Sequence, residues 1–215
     1  MKIRIHDNDF TLLVDKAIFW EDTHTLLIGD LHLGKIAHFR KEGIAVPPLA
    51  AEDNFKRLTH LLTRTKARRI IFLGDLFHSK HNSEWEAFLV WRETFRSTQM
   101  VMVKGNHDSF DRSFYEQANL EVYEAEYVVG PFVFTHFPKT EWNQDQFVFC
   151  GHIHPVFLIV GRGRQHFSSP CFVVDPYQAI LPSFGVFTGG HRIAKIRDRR
   201  IFMLTHERVF EVSNR

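Results

Sequence analysis

The chain has 215 residues, of which 44% are hydrophobic and 22 are phenylalanine, so its composition fits a folded domain and excludes a disordered chain. Its formal net charge of +2 neither requires nor excludes a nucleic-acid partner. Two cysteines are too few for a disulfide framework, and no apolar run approaches the roughly 20 residues of a membrane span. We therefore expect a single domain over residues 1–215, in the cytoplasm and without a membrane partner.

The first elements predict an α/β sheet. A hairpin is predicted from IRI and FTLLV, with the turn-rich HDND between them. Strands are then predicted from TLLIGD, RIIFLGD, MVMVKGN, FVFTH and FVFCGH. The spacing of Phe55, Leu58 and Leu62 predicts a helix in AEDNFKRLTHLLTRTKA, and Ser83 with Glu86 predicts a capped helix start in SEWEAFLVWRETFRS. Strands that alternate with helices indicate an α/β arrangement.

After Pro155 the pattern changes to strands without intervening helices. These strands are predicted from FLIVG, CFVVD, FGVFTGG and IFMLTHERVFEV, with glycine, proline and aspartate between them. We expect them to form a second sheet, together with the N-terminal hairpin, that packs on the first. No linker, repeat or low-complexity tract interrupts the chain, which favours one domain.

Residues of the types that bind metals follow each of the five central apolar runs. They are Asp30 and His32 in GDLH, Asp75 in GDLFH with His78 further on, Asn106, His107 and Asp108 in GNHD, His136 in TH, and His152 and His154 in GHIH. Ligand sites in open α/β sheets lie beyond the carboxyl ends of the strands, so these five ends are expected to meet in one crevice. A lone Asp or His after a strand is usually a turn former, but five such motifs in order are not explained that way.

The residue types also indicate which ions would bind. Carboxylate, imidazole and amide ligands together suit manganese, iron, cobalt or zinc better than calcium. His152 and His154 alternate along an extended run and are expected to point the same way, with attachment points about 6–7 Å apart. Glycine precedes Asp30, Asp75, Asn106 and His152, where we expect it to let the backbone turn sharply.

The ordered set D-x-H, G-D, G-N-H-D, H and G-H-x-H resembles the calcineurin-like metallophosphoesterase superfamily. This resemblance implies a four-layer αββα sandwich of two mixed sheets flanked by helices. It also implies two divalent metal ions, manganese first, with zinc, iron or cobalt as alternatives. One departure from the family pattern is Phe137, which follows His136 where many relatives place a small residue.

The resemblance also implies roles for the motif residues. One metal would be held by Asp30, His32 and His154, the other by Asn106, His136 and His152, and Asp75 would bridge the two. His107 would stabilise the transition state or protonate the leaving group, and Asp108 would orient His107.

A closer likeness, over nearly all of the chain, is to the bacterial ligase-associated DNA damage response endonucleases. The matching segments are GDLHLGKIAHFRKEGIAVP, GDLFHS, GNHD, GHIHP and ILPSFGVFTGG. Phosphoprotein phosphatases fit less well, because their second motif resembles GDxVDRG, whereas this chain has GDLFHSK at that position. The likeness implies a manganese-dependent phosphodiesterase or endonuclease that acts in DNA repair beside a DNA ligase and a helicase.

Two other functions stay open from the sequence alone. The first is a phosphatase or pyrophosphatase that acts on a nucleotide or another small phosphoester. The second is a non-catalytic scaffold with a decayed metal site, although the intact motifs argue against decay.

Substrate contacts are less determined by the sequence. Lys35, Arg40 and Lys41 follow the first motif, near the expected phosphate, but they fit a solvated helix face equally well. His78 is either a substrate contact or a turn histidine, and Trp142 is a candidate for base stacking. The basic run HRIAKIRDRR favours a polar hairpin over a DNA-binding patch.

Overall fold

The computed structural model describes residues 1–35, 39, 43, 50–78, 83–141, 143–161, 163, 165–186 and 188–213. Within this part of the chain, seven strands form the first sheet and lie across it in sequence order. They are β1 Lys2–Ile5, β2 Asn8–Leu12, β3 Ile18–Trp20, β4 Thr25–Ile28, β5 Arg69–Leu73, β6 Gln99–Val103 and β7 Glu121–Tyr123. The sheet is mixed, since β1 to β4 pair antiparallel and β4 to β7 pair parallel.

The remaining nine strands form a second mixed sheet. They are β8 Glu126–Val129, β9 Phe132–Thr135, β10 Phe147–Cys150, β11 Pro155–Val160, β12 His166–Val174, β13 Gln178–Ile180, β14 His191–Arg192, β15 Arg200–Leu204 and β16 Val209–Glu211. Their order is β14-β11-β12-β13-β10-β9-β8, and β15 pairs with both β12 and β16. Strands β9, β10 and β13 run parallel to one another.

The central strands β4, β5 and β6 of the first sheet bury both of their faces, as their continuous apolar sequences predict. In β5, Ile70 and Phe72 point into one hydrophobic cluster, whereas Ile71 and Leu73 point into another. This alternation follows from the two-residue period of a strand. The second of these clusters lies between the sheets, where it also contains Phe132 of β9.

The helices pack into the cluster on the outer face of the first sheet. They are α1 Ala50–Thr65, α2 Ser83–Thr94 and α3 Arg112–Gln117. Both predicted helices are confirmed; α3 was missed, because six residues are too few to show a helical period. The cluster on the outer face of the second sheet contains strand and loop residues only, within the described positions. No described helix has both the length and the apolarity that crossing a membrane requires.

Two mixed sheets with flanking helices are confirmed, with α1, α2 and α3 all on the outer face of the first sheet, but two expectations about the strands are wrong. The N-terminal hairpin belongs to the first sheet, because β2 pairs with β3 and β3 with β4 in one continuous meander. The described residues of FGVFTGG, residues 184–190, form no strand. Phe184 instead packs into the cluster beneath the helices, and its backbone N–H donates to the Gly29 carbonyl at 2.9 Å.

The packing between the sheets generates a test of stability. Phe10 is fully buried, and its ring centroid lies 5.2 Å from that of Phe132 and 4.9 Å from that of Phe149. We expect Phe10→Ala to lower the free energy of unfolding by about 3–5 kcal/mol, because it leaves a cavity between the sheets. Urea unfolding measures this loss. Val90→Ala is the control, since Val90 is 74% exposed and its truncation should change stability by less than about 0.5 kcal/mol.

Candidate metal centre

The predicted metal-binding residues lie where the carboxyl ends of strands from both sheets meet. Parallel strands β4, β5 and β6 lead into the loops that carry Asp30, Asp75 and Asn106, and β9 and β10 lead into those of His136 and His152. The five strand ends do converge, but they come from two facing sheets rather than from one open sheet. The loops after β4 and β5 stay paired beyond the strands, since His32 N donates to Asp75 O at 2.9 Å.

One group of ligand atoms forms around Asp30. Asp30, His32 and His154 each offer an atom within 4.8 Å of the others, which is the set that the family resemblance implies for one metal. His154 Nε2 lies 3.3 Å from Asp30 Oδ1. Asp30 and His32 are buried, and His154 is partly buried.

A second group forms around His136. Its Nε2 lies 3.1 Å from Asn106 Oδ1, 3.1 Å from His152 Nδ1 and 3.5 Å from Asp75 Oδ2. Asp75 Oδ2 is in turn 3.8 Å from His32 Nε2 in the first group. Asp75 therefore lies between the two groups, which is the position that the predicted bridging role requires.

Backbone carbonyls orient two of the imidazoles. His136 Nδ1 lies 3.0 Å from the Leu73 carbonyl, and His154 Nδ1 lies 3.2 Å from the Thr188 carbonyl. A carbonyl oxygen only accepts hydrogen bonds, so each Nδ1 carries the proton and each Nε2 carries the lone pair that a metal ion would need. Outer hydrogen bonds of this kind hold the metal-binding histidines of many proteins.

The imidazole of His32 supports metal binding most directly. Both of its ring nitrogens are buried, and neither has a hydrogen-bond partner among the described residues. Burial, followed by the nearby charge of Lys35, lowers the pKa of His32 to about 2, so the ring is neutral at physiological pH. Metals bind the neutral form of imidazole. A bound cation would satisfy a buried nitrogen that otherwise costs stability, so this ligand set fits divalent metal ions.

Left-handed backbone conformations recur at the same positions. Five of the seven predicted ligands have a left-handed backbone, with φ of 52° at Asp30, 50° at His32, 49° at Asp75, 67° at His152 and 51° at His154. This conformation is uncommon for residues other than glycine, although Asp and His tolerate it better than most. Strain of this kind is typical of functional sites, where the surrounding structure maintains it.

The glycines before the ligands act mainly through their small size. Of Gly29, Gly74, Gly105 and Gly151, only Gly74 has a positive φ, of 79°, so the expectation that all four allow sharp turns is wrong. The ligands themselves make most of these turns. A methyl group would overlap the His136 ring at Gly74, Asp75 Oδ1 at Gly105, and Asp30 Oδ2 at Gly151. These glycines therefore let the backbone approach the ligand side chains closely.

The GNHD loop is held by the Asp108 carboxylate. Asp108 is buried and accepts hydrogen bonds from Phe77 N at 3.0 Å and Gly105 N at 2.8 Å. Burial raises the pKa of Asp108 to about 7, although these two bonds act in the opposite direction. Both bonds go to the backbone, so any orientation of His107 by Asp108 acts through the loop. His107 is exposed, and its N–H donates to Asp75 Oδ1 at 2.9 Å.

The sequence analysis missed one segment that supports the centre. Residues 183–185 run beneath the first motif, where Ser183 Oγ donates to the Asp30 carbonyl at 2.8 Å and Gly185 N donates to the same oxygen at 3.1 Å. Further along this segment, Thr188 supplies the carbonyl that orients His154. The sequence analysis included this segment only among those that carry the family likeness. A supporting role could not be predicted, because every residue has a backbone carbonyl.

The structure describes some of the predicted substrate contacts but not all of them. Burial lowers the pKa of Lys35, while the charges of Asp75 and Asp30 act in the opposite direction, so its ammonium lies within electrostatic range of the centre. The His78 ring centroid lies 4.8 Å from that of His107 and 5.6 Å from that of His32. Outside the described residues lie Arg40, Lys41 and Trp142.

The basic run near the C-terminus contains several paired cations. Arg199 forms two hydrogen bonds with Asp175, both at 2.8 Å, and Arg200 forms two with Glu211 at 2.8 and 2.9 Å. These pairs favour a structural role for the run over a DNA-binding patch. The predicted polar hairpin is wrong, because β14 pairs with β11 whereas β15 pairs with β12 and β16.

Comparison with known proteins identifies the family. A family model described as calcineurin-like phosphoesterase matches residues 23–167, which is well over half of the chain. The chain belongs to the calcineurin-like phosphoesterase family. Like other calcineurin-like phosphoesterases it is a metal-dependent hydrolase, and the metal-binding groups described above fall within the matched region.

A solved structure with a similar fold agrees with this assignment. The crystal structure of the Pseudomonas putida nuclease MPE is similar to this calcineurin-like phosphoesterase, with a TM-score of 0.82 and 28% identity over 99% of each chain. Yfce, a phosphoesterase from E. coli, has 14% identity and a TM-score of 0.45, over 85% of this chain and 88% of its own. That score is too low to support an inference. The search of curated proteins gave no significant match.

The glycine contacts generate a test of the ligand geometry. In Gly105→Ala the new methyl group would overlap both Oδ1 and the backbone nitrogen of Asp75, so we expect Asp75 to move and bound manganese per chain to fall. Gly29→Ala is the matched control, because its methyl group would meet only ordinary contacts at 3.5 and 3.6 Å. Metal analysis of both purified variants measures the effect. Equal metal content in the two would contradict a ligand role for Asp75.

Proposed function

We propose that this protein is a manganese-dependent phosphodiesterase that cleaves nucleic acid as an endonuclease. The observation that carries the proposal is the convergence of predicted ligands from both sheets on one centre, which includes the buried His32 with its unpartnered ring nitrogens. The similarity to the Pseudomonas putida nuclease, at 28% identity over nearly the whole of both chains, favours a nucleic-acid substrate.

The two groups of ligand atoms would hold two divalent ions. Asp30, His32 and His154 would hold one, and Asn106, His136 and His152 would hold the other, with Asp75 shared between them. Two such ions supply a nucleophile at neutral pH and stabilise charge on a phosphoryl group. Manganese is the first choice because the ligands mix oxygen with nitrogen, although zinc, iron and cobalt accept the same donors.

Two side chains outside the ligand set would act on the substrate. His107 is exposed beside the centre, with its ring centroid 5.4 Å from that of His32, where it would donate a proton or a hydrogen bond to the leaving oxygen. Lys35 places a cation near Asp30 and Asp75, where it would attract a phosphate group. Asp108 would position the loop that carries His107.

The biological setting is proposed from the family likeness. The resemblance to ligase-associated endonucleases supports a role in DNA repair beside a DNA ligase and a helicase. Both cysteines are free and buried, which fits the reducing cytoplasm.

Substrate comparison tests the proposed reaction. Manganese-loaded protein should hydrolyse bis-p-nitrophenyl phosphate and a DNA oligonucleotide faster than p-nitrophenyl phosphate and nucleoside monophosphates. Asp75→Asn should abolish both reactions and reduce bound metal while the protein stays folded, because the shared ligand is lost. Circular dichroism provides the folding control. Preferential hydrolysis of monoesters would favour the small-phosphoester alternative.

Salt dependence tests the role of Lys35 separately. Each phosphate contact that is lost should flatten the log–log dependence of DNA binding on salt by about 0.7–0.9. Lys35→Ala should therefore weaken DNA binding and reduce the magnitude of this slope by about 0.7–0.9, the change expected for one lost phosphate contact. Lys56→Ala is the control, because Lys56 is exposed on α1 and paired with Glu52. A slope equal to that of the wild type would show that Lys35 does not contact the DNA backbone.

A further inference from the structure

Phe137 is a large aromatic side chain exposed at the edge of the metal centre. It directly follows His136, and 49% of its surface is accessible to solvent. The phenylalanines of the adjoining strands β9 and β10, in contrast, are all buried between the sheets. Because much of the Phe137 side chain stays exposed, burial of its apolar surface stabilises the fold only a little. Packing alone therefore does not explain why a large aromatic residue lies beside the centre.

The ring contacts two predicted ligands of the same metal. Its centroid lies 4.6 Å from that of His136 and 4.6 Å from that of His152, with interplanar angles of 74° and 61°. At these steep angles, neither imidazole stacks parallel to the phenyl ring. The backbone of Phe137 is also fixed, because Thr135 Oγ1 donates to its carbonyl at 2.7 Å. Its contacts with the two imidazoles hold the ring in place, and the exposed part of the ring can contact another group.

Phe137 lies on an exposed side of the centre, because its ring contacts the exposed His152. Asn106, whose Oδ1 lies 3.1 Å from His136 Nε2, is also exposed, whereas Asp30 and Asp75 are buried. A phosphodiester must approach from this exposed side to reach the centre. A phosphate near His136 and His152 would place one of its two flanking nucleosides beside the phenyl ring.

We propose that Phe137 stacks with a nucleobase adjacent to the scissile phosphate. The inference rests on the proposed function and adds a residue that binds the base to those that bind the phosphate. Aromatic rings stack with all bases, so this contact would add affinity with little sequence preference. The competing explanation is that Phe137 only supports the two imidazoles through edge contacts.

Coupling between the ring and the base separates these explanations. The substrates are the dinucleotide d(TpT) and two analogues in which a tetrahydrofuran abasic residue replaces either the 5′ or the 3′ nucleoside. For the wild type, removal of one of the two bases should lower kcat/KM by about 5- to 150-fold. In Phe137→Leu, which keeps apolar volume beside the histidines, the same removal should change kcat/KM by less than about two-fold. Phe137→Trp should restore the dependence on the base.

A supporting role alone gives a different pattern. It lowers kcat/KM of Phe137→Leu equally for all three substrates and leaves the wild-type dependence on the base intact, which would overturn the inference. The absence of any dependence on the base in the wild type would also overturn it. Phe137→Met replaces Phe137→Leu if the latter does not fold.

A fluorescence measurement tests the contact independently of turnover. Manganese-loaded protein is titrated with a phosphorothioate dinucleotide that carries 2-aminopurine at the coupled position, whose fluorescence falls on stacking. Quenching should be stronger with the wild type than with Phe137→Leu, because any quenching by the metal is common to both. Hydrolysis of d(TpT) without coupling would leave the proposed function intact and reject the base contact. Ring-dependent quenching without hydrolysis would support the base contact and reject the proposed function.

Discussion

The hydrogen bonds between Asp30 and His152 join the two sheets at the metal centre. The carboxylate of Asp30 follows β4 of the first sheet and accepts the N–H of His152, which follows β10 of the second, at 2.9 and 3.1 Å. Bonds to a charged carboxylate are stronger than neutral ones, and Asp30 is fully buried. A shift of one sheet along the other would break this contact and separate the ligands that each sheet contributes.

The aromatic core between the sheets maintains the same alignment. Phe10 and Trp20 of the first sheet contact Phe132 of the second with ring centroids 5.2 and 4.9 Å apart. Closely packed protein interiors resist small displacements of their parts. That rigidity lets the structure hold five ligands in the left-handed conformation, each at a cost on the order of 1–3 kcal/mol. The stability of the core and the strain at the centre are therefore linked.

The centre is buried on one side and open on the other. Asp30, His32 and Asp75 are shielded from water, which keeps the imidazole neutral and the carboxylates fixed. Asn106 and His152 face solvent, together with His107. This arrangement suits a hydrolase that retains its metals at depth while a large substrate approaches at the surface. It also explains why groups that would contact the substrate are exposed although they adjoin buried ligands.

Residue patterns along the chain were enough to predict the central strands, the helices α1 and α2, and the candidate metal ligands that the structure brings close together. Each of these features depends on neighbours within a few positions: the period of apolar residues, or an Asp or His directly after a strand. Carboxyl ends of parallel strands lie at the same edge of a sheet, which accounts for the convergence of β4, β5 and β6 and of β9 and β10. The meeting of these two sets depends on how the sheets pack on each other.

Only the tertiary structure decided which sheet each strand joins and which groups support the ligands. The N-terminal hairpin pairs with β3, FGVFTGG leaves the sheet to pack beneath the first motif, and Thr188 orients His154 through a carbonyl. The Ser183–Asp30 bond joins residues 153 positions apart. Such contacts arise from the packing of whole sheets and use backbone atoms that every residue has, so no local pattern of side chains encodes them.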